Sequence, residues 1–425
     1  MKKKIIALSA LLIAAVMIIG MVSCNKEDET PVFNISTLVS GSIDLNGATP
    51  PSDVSPTPNI VATFNIDVDP ATVTSSTVTL TRGYDNAVMA LTLTVSGKTI
   101  TIVPNDNLGN GAGYTLSFLA GILATDGQAL TPFNRSFATE GTFVPAGQVA
   151  YWNFEGNAND QVGSFNPSAN GIVNLTYAAS YKTDAGQCAV FDGTSTIVEI
   201  PNGDQLDNTD NFTLAFWVKT NSVGHVNENG DPKGHFVMGL GAFYGFQFEI
   251  AGDYTWCKLA ASYECGDGTT ASEDLWFNGD GKTYANGGWQ GWTFCKDLTG
   301  SGGVEGIIKD KWTHVVCVYD AATKVGTMYL NGEKMKAQDF NLWPDGDKKQ
   351  TIVGLKYGGS EPDVVNELAF GFIQSRAGTM WDTEPWGGYD IPTSNHFGGW
   401  LDDVRIFHKA LTETEVGLMY NSEKP

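Results

Sequence analysis

The sequence predicts an all-β chain of two folded domains, and three observations carry that reading. Glycine is abundant, with 49 residues among 425, which suits many turns rather than long helices. Short runs of alternating apolar and polar residues recur along the chain, the pattern of half-buried strands. Clusters of Gly, Pro, Asn and Asp separate those runs at the spacing of sandwich strands. Composition also bounds function. The formal net charge of −22 argues against a nucleic-acid partner, which needs clustered Lys and Arg. Acidity for solubility is the plain explanation; neutral ligands or bound cations also suit it.

The chain opens with Lys2-Lys3-Lys4 and an apolar run from Ile5 to Met21, a positive n-region followed by an h-region. Met21-Val22-Ser23-Cys24 resembles the lipobox of bacterial lipoproteins. The resemblance implies a signal peptide over residues 1–23, acylation of Cys24 and a tether over 24–32. Buried acyl chains hold at roughly 0.8 kcal/mol per CH₂. Asn25-Lys26-Glu27-Asp28-Glu29 is similar to the export signal of Bacteroidetes lipoproteins displayed on the outer face of the outer membrane. Outer-membrane surface display is therefore expected, with membrane contact through the lipid alone.

Residues 33–142 read as the first domain. Ile60, Ala62, Phe64 and Ile66 share one strand face. Leu91–Val95 and Thr99–Val103 flank a short Ser96-Gly97-Lys98 connection. Tyr114–Phe118 and Ser136–Thr139 complete about seven short strands. The order Asp69-Pro70, Thr72-Val73, Gly113-Tyr114-Thr115, Asp126-Gly127 and Phe137-Ala138-Thr139 resembles the bacterial Ig-like module of surface proteins, which implies an Ig-like β-sandwich acting as a spacer. It holds no His or Cys, so catalysis is not expected there.

Residues 145–425 read as the second domain, organised around Gly398–Phe407. Val404 and Ile406 alternate with Asp403, Arg405 and Phe407, while Leu401 falls out of phase. A bulge at Asp402-Asp403 would turn all three aliphatics inward. This late strand is expected to pair with Gln148–Phe154, bringing both ends of the domain into one sheet. Thr412 with Glu415 reads as a capping box opening a helix. Asn331-Gly332 supplies the two positive-φ positions of a type I′ hairpin turn. Together with Phe212–Lys219 and Lys311–Asp320, these blocks look like the laminin-G/concanavalin-like jelly roll. The resemblance implies two curved antiparallel sheets, face to face, with loops at one rim available for recognition.

The stretch 221–303 departs from that family pattern and reads as an aromatic-rich insert. The plain reading is that the segment has a satellite core, or extends the sheets, and buries its own rings. The functional alternative is that several form flat platforms for sugar faces, where a large rigid ring loses little entropy. The candidates are Trp289 and Trp292 in a glycine-rich run, Trp386 and Trp381 in a second loop, then Trp276 and Trp256. Ca²⁺ is the candidate cofactor, because laminin-G-like domains often carry it. Asp160 and Asp402, with Asp403 behind them, would be its ligands, against the plainer reading of turn capping and ion pairing. Cys257, Cys265 and Cys295 cluster in the insert, so one disulfide among them is expected. His314 reads as a satisfied structural histidine.

No nucleophile elbow or phosphate loop is present, and no Glu-x-Asp-x-x-Glu glycanase strand. No catalytic residues are assigned. The reading is a surface lipoprotein whose jelly roll binds glycan or polysaccharide, with surface uptake-complex proteins as candidate partners. An adhesin for host or matrix protein and a glycan-cleaving enzyme are its rivals.

Overall fold

The computed structural model describes residues 31–284 and 291–425. The expectations for the signal segment, Cys24 and Trp289 fall outside those residues. The chain divides into two compact units, one ending at Glu140 and the other comprising Gly141–Pro425 with Gly109–Gly111.

The first unit is a sandwich of two antiparallel sheets. Among the described residues one sheet has five strands, including Ile35–Ser40, Ile60–Phe64, Leu91–Ser96 and Thr99–Pro104. The other has four, including Val78–Arg82, Gly113–Phe118 and Phe133–Ala138. Period-two patterning places Ile60, Ala62, Phe64, Val78, Leu80, Ile100, Ile102, Leu116 and Phe118 inside, all buried. Gly97, at φ +55°, turns the hairpin where a Cβ would be strained.

The second unit is a jelly-roll-like pair of antiparallel sheets. Among the described residues the first sheet has nine strands. Gly398–Phe407 lies inside it, hydrogen-bonded to Gln187–Asp192, Phe212–Thr220 and Gln148–Trp152. Tyr151 faces Arg405 and Trp152 faces Val404, so the two ends of the unit are neighbours, as the sequence suggested. The expected bulge is present: register against Phe212–Thr220 shifts between Ala215 and Trp217, and Asp403 takes φ +48°. Leu401, Val404 and Ile406 all enter the core as a result. Asn331 and Gly332 both have positive φ, and Thr412 and Glu415 cap the helix Glu413–Glu423 reciprocally.

The stretch 221–303 is no appendage. Its strands His235–Leu240, Phe246–Ile250, Cys257–Glu264 and Thr270–Phe277 are consecutive neighbours in the second, eight-stranded sheet. Phe246, Phe248, Ile250, Leu259, Ala261, Leu275 and Phe277 line the same core as Leu401, Val404 and Ile406. This segment supplies half of the second sheet, because the inward aliphatics and rings of its strands recur with a period of two.

The expected disulfide is absent. Cys257, Cys265 and Cys295 are buried, free thiols. Cys257 begins the strand that Cys265 follows, so about 26 Å of extended chain separates them, far beyond disulfide reach. Cys295 belongs to the opposite sheet.

Candidate functional site

The alternation that builds the core also builds the outer face of the second sheet. With Phe246, Phe248 and Ile250 inward, Gln247 and Glu249 must point outward. On the next strands Lys258, Ala260, Asp274 and Trp276 do the same. Register sets them in two rungs: Glu249, Lys258 and Trp276 in one, Gln247, Ala260 and Asp274 in the next.

Lys258 ties the rungs together. Its Nζ lies 3.1 Å from Glu249 Oε1 and 2.9 Å from Asp274 Oδ2, the diagonal reach expected of a long side chain across strands. Burial works against the Lys258 charge, but the two carboxylates outweigh it and hold its pKa up. Burial also raises the Glu249 carboxyl, offset in part by Lys258. Gln247 donates through Nε2 to Glu249 Oε2 at 3.0 Å. Its Oε1 has no partner, although the residue is only 5% exposed.

Above this floor lie three cavities of about 420, 320 and 340 Å³. Trp256 lines all three. The first two share Phe236, Glu249 and Asn395, and the last two share Lys258, so they run together as one groove. Trp381 and Trp386 wall one stretch, and Trp276 and Trp292 wall another. Five of the six candidate tryptophans therefore line a single surface feature; Trp289 lies outside the described residues.

Those five rings are not equivalent. Trp386 is 40% exposed, whereas Trp381 is 7% and Trp292 6% exposed. Trp381 packs edge-on to Phe243 at 6.0 Å and lies 6.5 Å from Trp386. Trp292 lies 5.8 Å from Trp276 and carries the Lys336 ammonium 3.4 Å over its face. Burial lowers that ammonium to about 8. Trp292, a leading candidate on sequence grounds, is thus a packed wall. Trp386 is exposed, and Trp256 and Trp276 are half-buried. Asn395 fixes the loop end: its Oδ1 accepts from Gly234 N at 2.9 Å, and its N donates to Trp386 O at 3.0 Å.

The outer face of the first sheet holds a second polar cluster, around a cavity of about 250 Å³. Asp403 accepts from Tyr151 Oη at 2.5 Å and from Tyr181 Oη at 2.6 Å. Arg405 donates to Asp403 at 3.2 Å and to Glu423 at 2.6 Å. Trp217 Nε1 donates to the second Glu423 oxygen at 3.0 Å. The capped C-terminal helix brings Glu423 there. Beside it His314 is buried against Trp217 with neither ring nitrogen hydrogen-bonded. It is structural, as expected, but not satisfied. Burial, then the nearby Arg405, lowers it to about 3.

The proposed Ca²⁺ ligands are each taken up by local hydrogen bonds. Asp160 accepts from the backbone N–H groups of Tyr151, Val162 and Phe165 at 2.9, 3.0 and 3.1 Å, which is turn capping. Asp402 is buried, accepts from Ser180 and from Asp403 N, and is pushed well up by burial and then by Asp403. Among the described residues no group of three or more His, Cys, Asp or Glu is placed to hold a metal. The residues present do not fit the ion.

Residues 39–139 match the bacterial Ig-like domain family. No curated protein matches the chain. Solved structures with similarity include the botulinum neurotoxin type G receptor-binding domain, at 13% identity over 65% of this chain and 51% of that one, TM-score 0.37. The binding domain of Paraclostridial mosquitocidal protein 1 gives 13% over 65% and 52%, TM-score 0.39. A botulinum neurotoxin type C structure, described as depending on two ganglioside molecules to enter cells, gives 14% over 65% and 51%, TM-score 0.38. The chain spans about half the length of each.

Proposed function

We propose that this protein is a lipid-anchored surface protein whose second unit captures glycan in the groove over Trp256, with the Ig-like unit as spacer. The observation that carries the reading is the convergence of five tryptophans on one open groove with a polar floor. Rings at its walls offer flat apolar faces, and Gln247, Glu249 and Asp274 offer acceptors between them, the combination that holds a polyhydroxyl chain. Binding at such an open surface is expected to be micromolar to millimolar, about −4 to −8 kcal/mol.

Capture is favoured over cleavage by Lys258. Glycoside hydrolysis needs one carboxyl group free to donate a proton and another to attack or activate water. Here a single ammonium clamps both Glu249 and Asp274. A screen of the purified protein against immobilised glycans, with reducing ends assayed in parallel, tests this reading. Retention without new reducing ends supports it. Product release that disappears in Glu249→Gln would make the protein an enzyme. Retention of protein ligands with no competition by sugar would make it an adhesin. The anchor is tested separately: Cys24→Ala should abolish fatty-acid incorporation and release the protein from membranes.

A further inference from the structure

The groove floor is unequal in hydrogen-bonding type. Among the described lining residues Lys258 is the one cation, and both Glu249 and Asp274 hold it. The Gln247 amide donor is used by Glu249. The opposite amide orientation would set Oε1 against the Glu249 carboxylate, so the pairing fixes which atom is left over. That atom is an acceptor, Oε1, on a side chain more than nine-tenths buried. A buried polar atom without a partner costs about 1–3 kcal/mol, and here its side chain lines the cavity beside Trp256 while the oxygen itself is shielded from solvent. Asp253 and Glu273 also line the groove. Glu273 is neutralised by Lys349, while Asp253 is occupied by Thr255 of its own turn.

Such a floor asks for donors. Sugar hydroxyls bring them: O–H groups can reach the open lone pairs of Glu249 and Asp274, and a small turn of the Gln247 side chain would bring its unpaired Oε1 within reach of another. A uronate or sulfate brings only acceptors where it is charged, and meets carboxylates whose compensating lysine is already engaged. We infer that the groove, if it is the glycan site argued above, selects neutral polyhydroxyl chains and excludes carboxylated or sulfated ones, with Gln247 as a specificity-determining residue.

The test compares matched polysaccharides on the intact protein: dextran with dextran sulfate, hydroxyethyl cellulose with carboxymethyl cellulose, and neutral with uronate-containing members of the glycan panel. Neutral members should bind at least tenfold more tightly at low salt. Gln247→Met, which keeps volume and removes the acceptor, should weaken neutral binding several-fold. Glu249→Gln with Asp274→Asn frees Lys258 and should shrink the neutral preference at least tenfold. Should that pair fail to fold, Asp274→Asn alone must move the preference the same way, since Asp274 is well exposed. Acidic members binding as tightly as neutral ones would overturn the inference while leaving glycan capture intact, as would variants without effect. Binding to no member of any set would instead overturn glycan capture itself.

Discussion

The two outer faces of the second unit are made from the same residue types and do opposite things with them. On the first sheet Asp403, Arg405, Glu423, Tyr151, Tyr181 and Trp217 hydrogen-bond to one another under the C-terminal helix, with Arg405 Nε left over. On the second sheet Gln247, Glu249, Lys258 and Asp274 form a shorter chain that ends on an unpaired acceptor, with tryptophans on either side. A densely paired network anchored by a helix fixes a fold; a short one flanked by aromatic rings beside a cavity is available to a ligand. Composition alone would not separate them.

The largest expected effect lies on the closed face. Arg405→Met leaves Asp403 and Glu423 buried without their cation and should cost about 3–5 kcal/mol of stability, read by denaturant unfolding. Glycan affinity per folded molecule should not change. Loss of affinity together with a preserved fold would dissolve the distinction between the faces.

Within the groove, Trp381→Ala and Trp386→Ala sharpen it. The first removes a packed ring and should cost about 3 kcal/mol of stability. The second should leave stability within about 0.5 kcal/mol, as surface substitutions do, and weaken glycan binding several-fold. Equal stability losses would put both rings in a core.

Titration separates the faces on a smaller scale. His314 is held neutral down to about 3, whereas an unfolded histidine takes a proton near 6.5. Between those values the unfolded chain binds more protons, so stability falls as pH drops from 6.5 toward 3. Asp402 has the opposite sign. Its raised folded pKa means the native state binds more protons above about pH 4, and stability declines as pH rises toward that raised value. His314→Phe should flatten the acid limb and Asp402→Asn the alkaline limb, both read from unfolding midpoints against pH, with no change in glycan affinity at pH 7. The smallest expected effect is that of chelator: EDTA should leave the melting temperature unchanged, because Asp160 and Asp402 serve separate local structures. A downward shift would restore the Ca²⁺ reading.

Local patterns were legible in the sequence. The strand at 398–407, its bulge, the Thr412–Glu415 cap and the Asn331-Gly332 turn each rest on neighbours a few residues apart, and even the pairing with 148–152 followed from strand patterning at both ends. The stretch 221–303 departs from the family pattern in composition, yet its strands extend the second sheet, the plainer of the two readings its sequence allows. The alternation Phe246, Gln247, Phe248, Glu249, Ile250 already marked a strand with one core face and one polar face. The tryptophans of the site were legible as a set, but their ranking was not. Whether Trp381 or Trp386 is exposed depends on Phe243, far away in sequence, and Trp292 is covered by Lys336 from another strand. Lys258 was missed altogether; its role appears only when registry sets Glu249 and Asp274 on either side of it.

The most direct measurement is a calorimetric titration of the best-bound glycan into the wild type and Trp256→Ala, with melting temperatures recorded for both. Trp256 lines every part of the groove, so its loss should weaken binding at least tenfold, about 1.4 kcal/mol, at an essentially unchanged melting temperature. Undiminished affinity in a folded Trp256→Ala protein would contradict glycan capture at this face.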